Sequence, residues 1–178
     1  MADETVDCAR AEVRRFGRRS LRDHHPRRAG TASRVEGFPE LSLAALYAVE
    51  SDVARNPFAL DVAPTLTALR EAGIATAIVS DIHVDLRPAF AAAGLDSLVS
   101  TYTLSFEQGV QKPDPVIFTR TLDALGVMAG DALMVGDRSR PDGGAVEVGI
   151  TTLLLPPLYL VQECRLHNVL RLCGISTS

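Results

Sequence analysis

From residue 61 onward the chain repeats one phrase: a helix-compatible segment ends at a glycine, and a short apolar run follows. Segment 64–72 stops at Gly73 and leads into 74–79. Segment 86–93 stops at Gly94 and leads, through Leu95 and Asp96, to a strand near 99–104. Segment 115–125 stops at Gly126 before the run 132–135, and segment 144–148 stops at Gly149 before 150–155. Glycine just past a helix enters the left-handed conformation without steric cost, so it closes the helix. The runs that follow are apolar at successive positions, the pattern of strands covered on both faces. Such strands joined by helices make a parallel sheet. The expected fold class is therefore α/β, a doubly wound parallel sheet over 58–178, closed by a helix at 159–173.

Residues 1–57 lack that phrase. Segment 5–21 has helical composition with a ragged apolar stripe, 30–39 reads as a loop, and Ser42 is placed to cap a helix at 43–55 that Asn56-Pro57 ends. This stretch is expected to be a separate helical segment. Residues 1–34 hold nine of the 18 basic residues and five of the 22 acidic ones, a balance of +4 against −8 for the remainder. A basic arm suggests nucleic acid. Here Phe16 is its only aromatic, so it lacks a stacking platform, and no nucleic-acid partner is expected. No apolar run approaches the ~20 residues of a membrane span. No basic-then-apolar leader opens the chain. A cytoplasmic protein without a membrane partner is the expectation. Cys8, Cys164 and Cys173 are odd in number and lack ligand spacing, so neither a disulfide framework nor a zinc site is expected. Cys164 and Cys173 read as small apolar groups in the last helix.

In doubly wound sheets ligands bind beyond the carboxyl ends of the strands. After the first strand come Ser80 and Asp81. After the second come Ser105, Phe106 and Glu107, then Lys112. After the third come Gly136 and Asp137, with Asp142 five residues on. Lys112 is the single lysine of a chain whose other 17 basic residues are arginine. Its ammonium differs from guanidinium in being a compact point charge on a flexible stem. Two aspartates on a glycine-lined turn suit Mg²⁺, which takes one or two carboxylates, waters and a substrate phosphate. A lysine and a serine hydroxyl can offset and orient a phosphoryl group. Each residue also has a plain structural use, Ser80 as a helix cap, Asp137 and Asp142 in a turn, Lys112 as a surface charge. Their placement on one edge of the sheet favours a shared site for phosphate-ester chemistry. No Gly-x-Gly-x-x-Gly follows a strand, so a dinucleotide is not expected.

The segments 78–81 (Ile-Val-Ser-Asp), 104–115 (through Lys112-Pro113-Asp114) and 134–145 (Gly136-Asp137-x4-Asp142) resemble, in order, the second, third and fourth motifs of the haloacid dehalogenase superfamily. The resemblance runs from about 61 to 157. It implies a Mg²⁺-dependent phosphatase of a small phosphorylated metabolite, working through an aspartyl-phosphate. Catalytic roles would fall to Lys112 and Asp137, substrate contacts to Ser80, Asp81 and Lys112, and metal ligation to Asp137 and Asp142. The superfamily's dehalogenase branch does not need the metal acids, so their presence favours the phosphatase branch. His83 and Asp85 are candidates for the pocket mouth, and Arg138 and Arg140 for its rim.

The resemblance also implies a first motif, Asp-x-Asp-x-Thr/Val, on a strand between those ending at Ser80 and Gly136. Its aspartates serve as nucleophile and as general acid and base. Residues 1–57 contain no such motif. Leu60-Asp61-Val62-Ala63-Pro64-Thr65 has its outline, with alanine at the second aspartate, yet only 18 residues separate Asp61 from Ser80. Asp61 is read instead as the N-cap region of the helix at 64–72. Residues 1–57 would be the remnant of a helical cap. An N-terminally shortened member is favoured over a natural non-catalytic relative, because losing a central strand strips its neighbours of backbone partners. The chain alone is expected to be inactive or nearly so. The alternative is a non-catalytic phosphate- or metal-binding or interaction module.

Overall fold

Each helix–glycine–strand phrase between 61 and 155 forms in the computed structural model, which describes residues 57–176 together with Ala48 and Asp52. All of these belong to one compact unit, Ser42–Ser178. Helix α1 (Val62–Glu71) leads to β1 (Ala77–Ser80), and α2 (Arg87–Ala92) leads to β2 (Thr101–Leu104). A single turn, α3 (Ser105–Gln108), precedes α4 (Pro115–Leu125) and β3 (Leu133–Gly136). A second short turn, α5 (Ser139–Gly143), runs into a 3₁₀ turn (Gly144–Val148), then β4 (Thr151–Leu154) and α6 (His167–Leu172). Gly73, Gly94, Gly126 and Gly149, the four expected terminators, all take positive φ, from 68° to 87°. Helix α4 has the bounds its sequence predicts. Asp114 accepts from the Val116 amide at 2.9 Å, and Pro115 occupies the first turn, where its missing N–H costs nothing.

The strands pair in parallel, as continuous apolar runs require, but in two separate pairs. β1 lies beside β2 with Ala77 opposite Thr101, and β3 beside β4 with Leu133 opposite Thr151. Among the described residues β1 and β3 do not pair. One cluster joins the pairs. Ile117 and Phe118 of α4, essentially inaccessible, form it with Ala145 and Ile150, and Val79 of β1 and Met134 of β3 pack against it. A second cluster joins Leu66 and Leu69 of α1 to Leu170 of α6. Between β1 and β3 remains an apolar cavity of about 810 Å³, walled by 75–79 and 131–135 and bounded by residues of α1, α4 and α6.

Two expectations are corrected. The closing helix is His167–Leu172, not 159–173. The stretch ahead of it spends its backbone groups on distant partners: Val161 O accepts from the Leu60 amide at 2.8 Å, and the Leu166 amide donates to Asp61 Oδ2 at 2.7 Å. Cys173 stays free and half-buried, but Cys164 precedes α6 and is disulfide-bonded. The expected segments 5–21, 30–39 and 43–55 lie outside the described residues, apart from Ala48, which is helical. No helix among the described residues is long and apolar enough to cross a membrane.

The cluster shared by the two strand pairs gives a stability prediction. Ile117→Ala removes a fully buried side chain from the cluster that touches both strand pairs, and should lower unfolding free energy by about 2–5 kcal/mol in urea titrations. Met128→Ala, three-quarters exposed, should stay within about 0.5 kcal/mol. Equal effects would contradict this account of the core.

Candidate active site

The carboxyl ends of β1 and β3 and the loop after β2 are tied together by three side chains. Lys112 is buried, and its Nζ donates to Val79 O at 3.1 Å and to Asp142 Oδ1 at 2.6 Å. The other carboxylate oxygen of Asp142 accepts from the amides of Asp137 and Arg138, at 3.0 and 2.9 Å. Asp81, the residue after β1, accepts from the Lys112 amide at 2.9 Å and from Arg138 Nη2 at 2.8 Å. One end of the molecule thus carries Asp81, Lys112, Asp137, Arg138 and Asp142, beside Ser80 at the last position of β1.

Local sequence makes this arrangement possible. Gly136 ends β3 because a Cβ there would lie 2.3 Å from Asp142 Oδ2, so only glycine lets the carboxylate fold back over the strand end. Gly144 plays the same part toward the lysine loop, since its Cβ would lie 2.6 Å from Pro113 Cβ. On the β2 side, Ser105 Oγ accepts from the Ile82 amide at 2.9 Å and donates to Ile82 O at 3.0 Å, which pins the β1–α2 loop.

The electrostatics centre on Asp142. Burial alone would raise its pKa. The Lys112 hydrogen bond, the Arg138 amide and the nearby positive charges outweigh burial and hold the carboxyl below its ordinary value. The Lys112 ammonium has three donors and uses two in the described contacts, so one remains for an anion. The Asp81–Arg138 pair is half in solvent on the arginine side and is worth little to stability, about 0–1 kcal/mol.

The expected residues meet at this end, in roles that partly differ from expectation. Lys112 and Asp142, read as phosphate contact and metal ligand, bind each other. Asp137 is exposed, and its carboxylate makes no described hydrogen bond or ion pair. The Ser80 hydroxyl likewise makes none. Asp85 is taken by Arg87, through its amide at 3.0 Å and Nη1 at 3.1 Å, and Arg87 also forks onto Glu107. His83 and Arg140 are exposed without a described contact. Asp61 stands at the N-cap position of α1, as expected, but its side chain makes no capping hydrogen bond. Its buried Oδ2 accepts from the Arg165 and Leu166 amides instead, and none of its described bonds reaches this site. The tie from Arg138 to Asp81 was not expected; its only sequence signal is an arginine directly after the Gly-Asp pair.

The donor set fits Mg²⁺ in one way. Asp137 offers a free hard oxygen at the strand end, and Mg²⁺ commonly keeps several waters with one or two carboxylates. Among the described residues no group of three or more His, Cys, Asp or Glu side chains is placed to hold a metal alone. A metal here would be shared among Asp137, water and a bound anion.

A family model for haloacid dehalogenase-like hydrolases matches residues 5–147. Over 99 residues the chain is 36% identical to a ribulose-1,5-bisphosphate 5-phosphatase of Halopiger xanaduensis, covering 54% of this chain and 41% of that protein. It is 31% identical over 105 residues to (S)-2-haloacid dehalogenase 4A of Burkholderia cepacia, covering 56% and 46%. The crystal structure of a HAD phosphatase from Thermococcus onnurineus is similar at a TM-score of 0.58 and 29% identity, over 65% of this chain and 57% of that one. The chain spans less than half the length of these curated relatives.

Two outcomes follow from the buried pair. Lys112→Met strands the Asp142 carboxylate and should cost about 3–5 kcal/mol, whereas Lys112→Met with Asp142→Leu should recover much of it. Because the folded state depresses the Asp142 pKa, its contribution is complete above the ordinary value of about 4 and is lost as pH falls through that value toward the folded one. Urea midpoints measured at pH 6 and pH 3 should therefore diverge less in Asp142→Asn than in the parent chain. Separately, Gly136→Ala should destabilise by about 1–3 kcal/mol, since the new methyl occupies the space of the Asp142 carboxylate. A neutral Gly136→Ala would mean that the carboxylate is not folded over the strand end.

Proposed function

Because the chain belongs to the haloacid dehalogenase-like hydrolases, we propose that its site is that of a Mg²⁺-dependent phosphatase acting on a small phosphate ester. The observation that carries this reading is the convergence of Ser80, Lys112, Asp137 and Asp142 at one end of the strands, with Lys112 and Asp142 in contact. In this reading the Ser80 hydroxyl and the remaining Lys112 donor bind phosphoryl oxygens. Asp142 holds the ammonium in place and draws the amides of 137 and 138 inward, so that Asp137 stands at the mouth. Asp137, backed by Asp142, would hold Mg²⁺, which when bound supplies a Lewis acid that offsets the phosphoryl charge. Asp81 positions the Lys112 loop and Arg138, whose exposed guanidinium suits a second anionic group on the ester.

The nucleophile of this family is an aspartate on a first motif that residues 1–57 do not contain. Asp61 Oδ2 accepts from two amides of the chain before α6, which supports a structural role, while its Oδ1 is buried without a partner among the described residues. The reading is therefore of a phosphate site without its nucleophile in these 178 residues. The dehalogenase alternative draws support from one curated relative, but the Gly136-Asp137 pair speaks for the metal-dependent branch.

The test separates binding from turnover. Calorimetric titration with inorganic phosphate in the presence of Mg²⁺ should give saturable binding, absent without the metal. Ser80→Ala or Asp137→Asn should weaken it about tenfold or more, as for loss of one charge-assisted contact. p-Nitrophenyl phosphate should turn over no faster than background. Strong Mg²⁺-dependent hydrolysis that Asp61→Asn abolishes would make Asp61 the nucleophile. Metal-independent chloride release from 2-chloropropionate would move the chain to the dehalogenase branch.

A further inference from the structure

Two serines flank β2, and each bonds the main chain of β1 just outside the paired stretch. The ladder matches Ala77–Ser80 with Thr101–Leu104. Ahead of it, Ser100 Oγ accepts from the Thr76 amide at 3.3 Å, and the Ser100 amide donates to Thr76 O at 2.8 Å. Beyond it, Ser105 Oγ accepts from the Ile82 amide at 2.9 Å and donates to Ile82 O at 3.0 Å. In a parallel pair, alternate residues of one strand turn both backbone groups to the partner. Thr76 does so, and Ile82 stands in the same phase. At Ile82, however, β2 has already ended at Leu104 and turned into α3, so no strand backbone meets it there. The Ser105 hydroxyl takes that place, because one hydroxyl oxygen can both donate and accept.

The consequence falls on Ser80, the last rung of the ladder, opposite Leu104. Only Asp81 lies between that rung and the residue Ser105 holds, so the main chain at the strand end is fixed on both sides. The Ser80 hydroxyl makes no described hydrogen bond, and its direction is set by the backbone that carries it. We propose that Ser105 is a positioning residue for the phosphate site: by holding both backbone groups of Ile82 it aims the Ser80 hydroxyl at the bound anion. This rests on the phosphatase reading, in which Ser80 meets a phosphoryl oxygen, and adds a residue that supports the site without being assigned a contact to anion or metal. The same turn also holds the far end of the loop, through Glu107 and Arg87. Their side chains are 32% and 42% exposed, so that tie is screened by solvent and weak.

The test compares Ser105→Ala, Ser105→Thr, Ser80→Ala, the double variant S80A/S105A and Glu107→Gln in the full chain. In the free protein, Ser105→Ala should speed hydrogen exchange of the Ile82 amide about tenfold or more, with the Ile117 amide unchanged. Calorimetric titration with inorganic phosphate and Mg²⁺ should give Ser105→Ala a Kd about five- to tenfold above the parent's, with Ser105→Thr returning it to within about threefold. On top of Ser80→Ala, Ser105→Ala should change Kd less than about twofold, because the two act through one contact. A merely structural loss would weaken binding alike in both backgrounds. Glu107→Gln should leave Kd within about twofold. Unchanged Ile82 exchange, an unchanged Kd in Ser105→Ala, or a full further loss in the Ser80→Ala background each overturns the proposal. An equal loss in Glu107→Gln does so too, since the whole loop would then be responsible. Where Ser105→Ala does not fold, Ser105→Cys, close in size with only a weak thiol donor, carries the same comparison. The two readings fail apart. A parent chain that binds no phosphate ends the phosphatase reading and this role with it, whereas binding that Ser80→Ala weakens and Ser105→Ala leaves unchanged ends this role alone.

Discussion

A lysine and an aspartate brought out of water in contact must each regain what solvation gave them, and the way Lys112 and Asp142 do so organises this end of the molecule. Asp142 satisfies one oxygen with the ammonium and the other with two consecutive amides after β3. Lys112 takes a carbonyl of β1 as its second partner. The desolvation of a buried pair is repaid only when such extra hydrogen bonds are present. Here they come from β1, the loop after β2 and the turn after β3, so satisfying the charges and assembling the three strand ends are the same event. The site is consequently built on strand termini and held by side chains whose partners are specified, which is the condition for orienting an anion without reorganisation.

That tie also bears on the architecture. β1 with β2 and β3 with β4 form two pairs that no backbone ladder connects among the described residues. Their cohesion comes from the cluster of Ile117, Phe118, Ala145 and Ile150, against which Val79 and Met134 pack, and from the Lys112–Asp142 bridge at the carboxyl ends. Ile78, Val79, Met134 and Val135 remain only half-buried, unusual for the inner strands of an α/β domain, because the space between them is not filled by this part of the chain.

Much of this was legible in local pattern. The four glycines after helices, the start of α4 at Pro115 and the polar residues at the strand ends are each set by chemistry within a few positions, and the glycines and Pro115 took their expected places. Features that depend on distant partners were not legible. Nothing near Asp61 indicates that its carboxylate will serve amides more than 100 positions away, and the same contact is why 159–166 is not helical despite a helix-compatible composition. The spacing of Asp137 and Asp142 indicates a shared turn but not the direction of either side chain, so the engagement of Asp142 by Lys112, leaving Asp137 as the free oxygen donor, emerged only in three dimensions. Apolar runs identify strands without identifying neighbours, so the separation of the two pairs among the described residues was not legible in the runs themselves.

The most direct test of the account is a crystal structure of the chain grown with Mg²⁺ and inorganic phosphate. The account predicts the anion at the carboxyl ends of β1 and β3, touching Ser80 Oγ and Lys112 Nζ, with the metal on Asp137 and the Lys112–Asp142 contact intact. An anion bound elsewhere while that end stays empty, or Lys112 turned out to solvent away from Asp142, would contradict it.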